Sequence, residues 1–376
     1  MQKENYKTQV IVSGEGALQE AALIVRKLGV QNILAVCSKS AKKHCGEEFW
    51  REFPGKVIFF HAFSPNPKYE EVEAGVALFE KEQCEMVLSM GGGSAMDVAK
   101  CIKMFAPMDK HENYLKQEKK VNDIRHIAIP STAGTGSEST SFAVVYYQEE
   151  KQSVAHSSLL PDYAILHAGF LENLPLYQKK ATMMDALCQA VESYWSVNST
   201  KESRQYAREA IVALRKAWQG YVEENTNWLQ IMAAANFAGR AINISKTTAA
   251  HAMSYKITSM YGFAHGHAAA ICLPKTWAYL QDHIDDCTDE RGKDYLLQIL
   301  EELNQMLGTE NTQESISWFT KLIDDLELPY PVQCGEEDVE ILSASVNAER
   351  LNNFPVKVTK EALCAMYREI VGETQR

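Results

Sequence analysis

The chain has no apolar run near the ~20 residues needed to cross a bilayer, and its first residues, MQKENYKTQV, lack the apolar stretch of a secretory signal. None of its nine cysteines forms a Cys-x-x-Cys pair, so the usual zinc-ribbon and dithiol redox motifs are missing. These absences fit a soluble, reduced, cytoplasmic protein with no membrane partner. Positive charge is also short: 38 Lys and Arg face 49 Asp and Glu, and the formal net charge of −11 repels polyanions. No nucleic-acid partner is therefore expected. Internal repeats, low-complexity tracts and the Gly-x-Gly-x-x-Gly turn of the common dinucleotide fold are lacking too.

What the chain does have is length and apolar content. Its 376 residues, 46% of them hydrophobic, can bury a large core and divide into two domains. Short β-rich runs at Gln9–Val12, Asn32–Val36, Lys56–Phe60, Met86–Ser89 and His126–Ile129 alternate with helical patterns near 17–28, 41–51, 69–80 and 95–105. That alternation predicts βαβ units on a parallel sheet. The charged stretch 108–123 reads as a surface excursion. Beyond Pro175 the pattern becomes helical, with stretches at 179–195, 201–221, 227–242, 249–260 and 294–307. The expected architecture is α/β plus all-α: a Rossmann-like parallel-sheet domain over 1–173, then a helical domain over 174–376.

Strand Met86–Met90 runs directly into Gly91-Gly92-Gly93-Ser94 at a helix start. Three glycines there allow an anion such as a pyrophosphate to approach the unpaired N–H groups of the first turn. A second loop, Pro130-Ser131-Thr132-Ala133-Gly134-Thr135-Gly136-Ser137-Glu138, also follows an expected strand and offers hydroxyls and small residues. Two such loops at the carboxyl ends of parallel strands can converge on one nucleotide.

In the helical half, Asp185 and Gln189 stand four residues apart on one helix face, and His251 and His265 follow. A carboxylate and two imidazoles suit a divalent transition metal, with Fe(II) and Zn(II) both open.

With Gly14, Gly16, Pro65-Asn66-Pro67, the triple glycine, the Ser/Thr/Gly loop and Leu160-Pro161-Asp162 in order, the chain resembles the iron-containing, group III alcohol dehydrogenase family. The resemblance implies a nicotinamide cofactor in a cleft between an α/β and a helical domain. It assigns Gly92, Gly93, Ser94 and Asp97 to the pyrophosphate, and Asn66, Ser131, Thr132, Ser137 and Lys151 to the rest of the cofactor. The family's metal is held by an Asp, a His four residues later, a His opening a helix segment and another His fourteen residues on. Asp185, His251 and His265 match, but Gln189 replaces an imidazole with a neutral amide. Gln189 ligates through its oxygen, water or Cys188 fills the gap, or the metal is weak or absent. Tyr255 stands where many members carry a further His, which leaves His267, Tyr255 or water as a proton relay; the other reading of His267 is a residue that orients the metal site.

Where NAD-using members often place an acid after the second strand, this chain reads Cys37-Ser38-Lys39-Ser40, with Lys42 and Lys43 beyond. Ser38, Lys39 and their neighbours suit a 2′-phosphate, so NADPH is expected over NADH. The segment around Asn243, Lys246 and Thr247, read as one helix running to His251, places a cation and polar groups beside the metal ligands. Together with DALCQAVESYWSVNST at 185–200 it most resembles the phosphonoacetaldehyde reductases of the family. This implies metal-dependent hydride transfer to a small anionic aldehyde, phosphonoacetaldehyde giving 2-hydroxyethylphosphonate. The alternative is a broad-specificity alcohol, aldehyde or semialdehyde reductase. The family also suggests a homo-oligomer, at least a dimer.

Overall fold

The computed structural model describes residues 1–332 and 335–372, with 3–6 described by their backbone alone. Two compact units emerge, Met1–Leu174 and Pro175–Arg376. The first contains β1 (Gln2–Tyr6), β2 (Gln9–Ser13), α1 (Glu20–Leu28), β3 (Asn32–Cys37), α2 (Lys39–Arg51), β4 (Lys56–Phe60), α3 (Tyr69–Lys81) and β5 (Met86–Gly91). It continues through α4 (Gly93–Phe105), β6 (Arg125–Pro130), β7 (Phe142–Tyr147), β8 (Glu150–Ala155) and β9 (Tyr163–Leu166).

Seven strands form one sheet in the order β1-β2-β9-β6-β5-β3-β4, and β7 pairs with β8 in a separate hairpin. All neighbours in the large sheet run parallel except β1, which is antiparallel to β2. A parallel sheet covered on both faces needs strands that are apolar on both sides. In β3, Ile33, Ala35 and Cys37 pack with Ala21, Val25 and Phe49 from α1 and α2, whereas Leu34 and Val36 pack with Val76, Val98 and Ile102 from α3 and α4. This two-residue alternation places helices on both faces.

The second unit is helical: α5 (Leu176–Trp195), α6 (Lys201–Val222), α7 (Trp228–Ser245), α8 (Ala249–Tyr261) and α9 (His265–Asp282) precede α10 (Lys293–Leu307), α11 (Thr312–Asp325), α12 (Glu336–Ala344), α13 (Ala348–Leu351) and α14 (Lys360–Gly372). No helix among the described residues is long and apolar enough to cross a membrane.

Two expectations need correction. The stretch 108–123 is not wholly superficial, because Tyr114 is buried and its backbone N–H donates to Tyr69 Oη at 2.9 Å. The segment leading to His251 is not one helix either. It breaks at Lys246, which adopts φ 64 and ψ 170, and α8 starts at Ala249. The break has a tertiary cause: Glu192 of α5 draws in the backbone N–H groups of Thr248, Ala250 and His251.

Lys100 of α4 ties the sheet unit together. Fully buried, its Nζ donates to Ser137 Oγ (2.9 Å), Thr140 Oγ1 (2.9 Å) and the Phe142 carbonyl (2.8 Å). Burial lowers its pKa to about 8 from 10.5, against the opposing pull of Asp97 and Glu138. Between those two values the unfolded chain holds more protons than the folded one, so this group's contribution to stability falls as pH drops toward 8 and is largest above 10.5. Lys100→Met should remove that dependence in denaturation curves taken across this window. At neutral pH it should also destabilise the unit by about 1–3 kcal/mol, by stranding buried acceptors.

Candidate metal and cofactor sites

In the sheet unit the loops at the strand ends meet. The Ser131 N–H donates to the Gly91 carbonyl (2.8 Å), and the Ser38 N–H to the Met90 carbonyl (3.0 Å). A Cβ on Gly93 would lie 3.0 Å from Thr135 Cγ2, one on Gly92 3.6 Å from Thr132 Oγ1, and one on Gly91 3.5 Å from Ser38 Oγ. The three glycines thus let the start of α4 close against the Ser/Thr loop and the end of β3. No side chain caps α4 at Gly92. Its first turn, Ser94 included, therefore offers N–H groups to an anion.

Asp97 faces this junction but serves the scaffold: Oδ1 accepts from Ser137 Oγ (2.9 Å) and Oδ2 from the Val144 N–H (3.1 Å). Burial raises its pKa, while Lys100, Ser137, Val144 and Lys151 pull the other way. Lys151, on β8, is thereby placed near Asp97. Ser38 caps α2 by accepting from the Ala41 N–H (3.2 Å), and its hydroxyl lies 3.3 Å from that of Ser40. Lys39, Lys42 and Lys43 line a cavity of ≈ 570 Å³ with Trp50, Phe59 and His61. Asn66 is exposed, with φ 57, in the turn before α3.

In the helical unit, the ligand atoms of Asp185, His251 and His265 all lie within 4.8 Å of one another. Asp185 and His251 are almost fully buried. His251 Nε2 is 3.3 Å from Asp185 Oδ1, while Nδ1 bonds Glu192 Oε2. The same Glu192 accepts through Oε1 from Thr248 Oγ1 (2.7 Å) and from the N–H groups of Ala250 (2.9 Å), Thr248 (3.2 Å) and His251 (3.4 Å). One carboxylate thus caps α8 and fixes the His251 tautomer, leaving Nε2 for a metal. Glu192 escaped the sequence reading, although it lies seven residues after Asp185 on the same helix stripe.

Burial works against a charged His251, but Glu192 and Asp185 outweigh it and push its pKa up to about 9. Burial likewise opposes Asp185 ionisation, yet the His251 bond, the neighbouring imidazoles and the Gln189 amide hold its pKa below the usual value. A divalent cation entering here would displace a proton. The donor set fits such a cation: three convergent ligands, one oriented by a carboxylate, with Gln189 buried beside them and donating to Asp185. Gln189 Oε1 is also buried, and no donor reaches that oxygen among the described residues. Cys188 is fully buried but is not one of the residues whose ligand atoms converge.

Gly266 allows the last ligand its place. A Cβ there would sit 2.1 Å from the Ala181 carbonyl and 2.5 Å from Asp185 Cβ, so only glycine lets α9 approach α5 this closely. His265 Nδ1 lies 3.4 Å from Ser254 Oγ, and the Tyr255 ring stacks parallel to His265 with centroids 5.3 Å apart. His267 is elsewhere. Nε2 donates to the Pro329 carbonyl (2.8 Å), Nδ1 bonds Tyr177 Oη (3.1 Å), and the ring stacks on Phe263 at 4.3 Å. Burial lowers its pKa. With both nitrogens engaged inside a buried contact, His267 joins α9 to Tyr177 and Pro329. Asn243 is buried near the end of α7, its carbonyl accepting from the exposed Lys246 Nζ (3.2 Å), and Thr247 lies in the loop before α8.

Residues 8–168 match the sequence profile described as iron-containing alcohol dehydrogenase, and residues 179–371 that of the Fe-containing alcohol dehydrogenase family, C-terminal. The chain belongs to the iron-containing alcohol dehydrogenase family and is an enzyme of it. It is 31% identical to the phosphonoacetaldehyde reductase of Streptomyces viridochromogenes over 243 residues, 60% of this chain and 61% of that protein. With the 1,3-propanediol dehydrogenase of Klebsiella pneumoniae it shares 30% identity over 336 residues, 85% of each. Its structure is similar to that of the sulfoacetaldehyde reductase of Bifidobacterium kashiwanohense in complex with NAD+, at a TM-score of 0.88 and 25% identity over the whole of both chains.

Glu192→Gln should leave the chain folded yet weaken divalent-metal affinity by about 10- to 100-fold, as for other carboxylates behind a ligating imidazole. Competition with a chromophoric chelator measures this, and undiminished affinity would contradict the assigned tautomer control.

Proposed function

We propose that the chain is a metal-dependent, NAD(P)H-linked reductase of short anionic aldehydes, with phosphonoacetaldehyde giving 2-hydroxyethylphosphonate as the leading reaction. The observation that carries the reading is the buried Asp185, His251 and His265 cluster braced by Glu192. Two of the similar proteins are named for two-carbon aldehydes with a strongly anionic head, a phosphonate in one and a sulfonate in the other. Asp185, His251 and His265 would hold the divalent cation, with Gln189 beside them. Once bound, cation and nicotinamide would supply Lewis-acid polarisation of a carbonyl and a hydride.

The chain's own groups do the rest. Glu192 keeps the His251 Nδ1 proton, and Gln189 orients Asp185 through its amide. Arg350 Nη1 donates to Tyr255 Oη at 2.6 Å, which holds the tyrosine ring against His265. Gly92, Gly93 and Ser94 would receive the pyrophosphate, with Ser131, Thr132, Asn66 and Lys151 around the cofactor and Asp97 and Ser137 bracing the loops. Lys246, Thr247 and Asn243 sit at the loop feeding His251.

NADPH preference is supported by Ser38 lying against the glycine turn and by the lysine-lined cavity beside α2. The second reading, a broad alcohol or diol reductase, is favoured by the wide span of the propanediol dehydrogenase match.

Initial rates of NADPH oxidation with phosphonoacetaldehyde, sulfoacetaldehyde, succinic semialdehyde and butyraldehyde should be highest for the anionic aldehydes and lost after chelation. Faster turnover of butyraldehyde would favour the second reading. NADPH should outperform NADH by about tenfold or more, the scale of one charge-assisted hydrogen bond. Ser38→Asp, which keeps the helix cap, should reverse that order.

A further inference from the structure

The expected anion receptor, Lys246, is an exposed side chain whose Nζ turns back on the Asn243 carbonyl at the end of its own helix. A cation there complements the carbonyl end of α7. A second cation is joined to the ligand cluster through one aromatic ring. Arg350, on α13, places its guanidinium carbon 4.9 Å from the Tyr255 ring centroid, and Nη1 donates to Tyr255 Oη. Tyr255 is the ring stacked at 2° on His265. One tyrosine therefore touches both a guanidinium and a member of the metal-binding triad.

We infer that Arg350 receives the anionic head of the substrate, an inference that rests on the anionic-aldehyde reading above. Three observations support it. Arg350 is partly exposed, and among the described residues no carboxylate pairs with it, whereas Arg208 and Arg291 are paired with Glu302 and Asp289. Nη2 and Nε make no hydrogen bond among the described residues, so the planar fork that suits phosphonate, sulfonate or carboxylate oxygens is available. The turn carrying Arg350 is also held in place. Asn353 Nδ2 donates to the Thr247 carbonyl (3.0 Å), its carbonyl accepts from the Val197 N–H (3.0 Å), and Oδ1 accepts from Asn198 Nδ2 (2.8 Å). Arg350 is thus fastened to the loop before α8, the helix that carries His251, and to the chain that follows α5. An aldehyde whose oxygen faces the triad and whose anion lies one or two carbons away would meet this fork.

The test compares wild type, Arg350→Gln and Arg350→Lys on phosphonoacetaldehyde and butyraldehyde, with calorimetric titration of ethylphosphonate, which cannot be reduced. Arg350→Gln should lower the ratio of kcat/KM for the anionic over the neutral aldehyde by about 10- to 100-fold, mainly through KM, and abolish measurable ethylphosphonate binding. Arg350→Lys, which keeps the charge and loses the fork, should fall between. Equal losses on both aldehydes, or ethylphosphonate binding that survives in Arg350→Gln, would overturn the assignment. Failure of the underlying reading is seen in the wild type itself, as preference for butyraldehyde and no ethylphosphonate binding.

Discussion

A single buried carboxylate organises the helical unit. Glu192 gathers three backbone N–H groups and a hydroxyl at the start of α8 and bonds the first imidazole of that helix. A buried carboxyl group is tolerable only with such saturation, because desolvation outweighs any single bond. The same saturation ends the helical run before Lys246, swings the chain into α8, and leaves His251 facing Asp185. Backbone geometry, helix capping and ligand orientation thus follow from one side chain. Gly266 supplies the other half of the geometry by letting α9 deliver His265 against α5.

The sheet unit solves a parallel problem with a cation. Lys100 reaches from α4 into the loop after β6 and satisfies three acceptors there. Asp97, one turn earlier on α4, holds the same loop and the β7 strand. The glycine turn is left without a side-chain cap while the loops around it are braced. Such an arrangement keeps polar backbone available to a ligand at little conformational cost, because the ordering is already done by the fold.

Much of this was legible in the residues. The strands β2 to β6 and helices α3 and α4 announce themselves by period and by the apolar content of doubly covered strands. The triad was legible by residue type once the family resemblance was set beside Asp185, His251 and His265. Other parts were not. The four-residue β9 is too short for a clear period and pairs with β2 from the other end of the unit, while β8 of the β7–β8 hairpin is too polar, as EKQSVA, to read as a strand. His267 reads as a relay because Tyr255 stands where many members of the family carry a further His, and only the packing of α9 shows that its nitrogens meet Pro329 and Tyr177.

The amino-acid order by itself determined the fold class, the glycine turn and the ligand types, since these depend on local periodicity and on side-chain chemistry that needs no partner. Tertiary structure alone decided which polar groups meet. It set Glu192 behind His251, removed His267 and Cys188 from the cluster, and laid Tyr255 between His265 and Arg350, 95 residues from Tyr255 in the chain. Contacts of that range are chosen by the packing of whole helices, where burial makes each polar group seek a partner, and no local pattern encodes the choice.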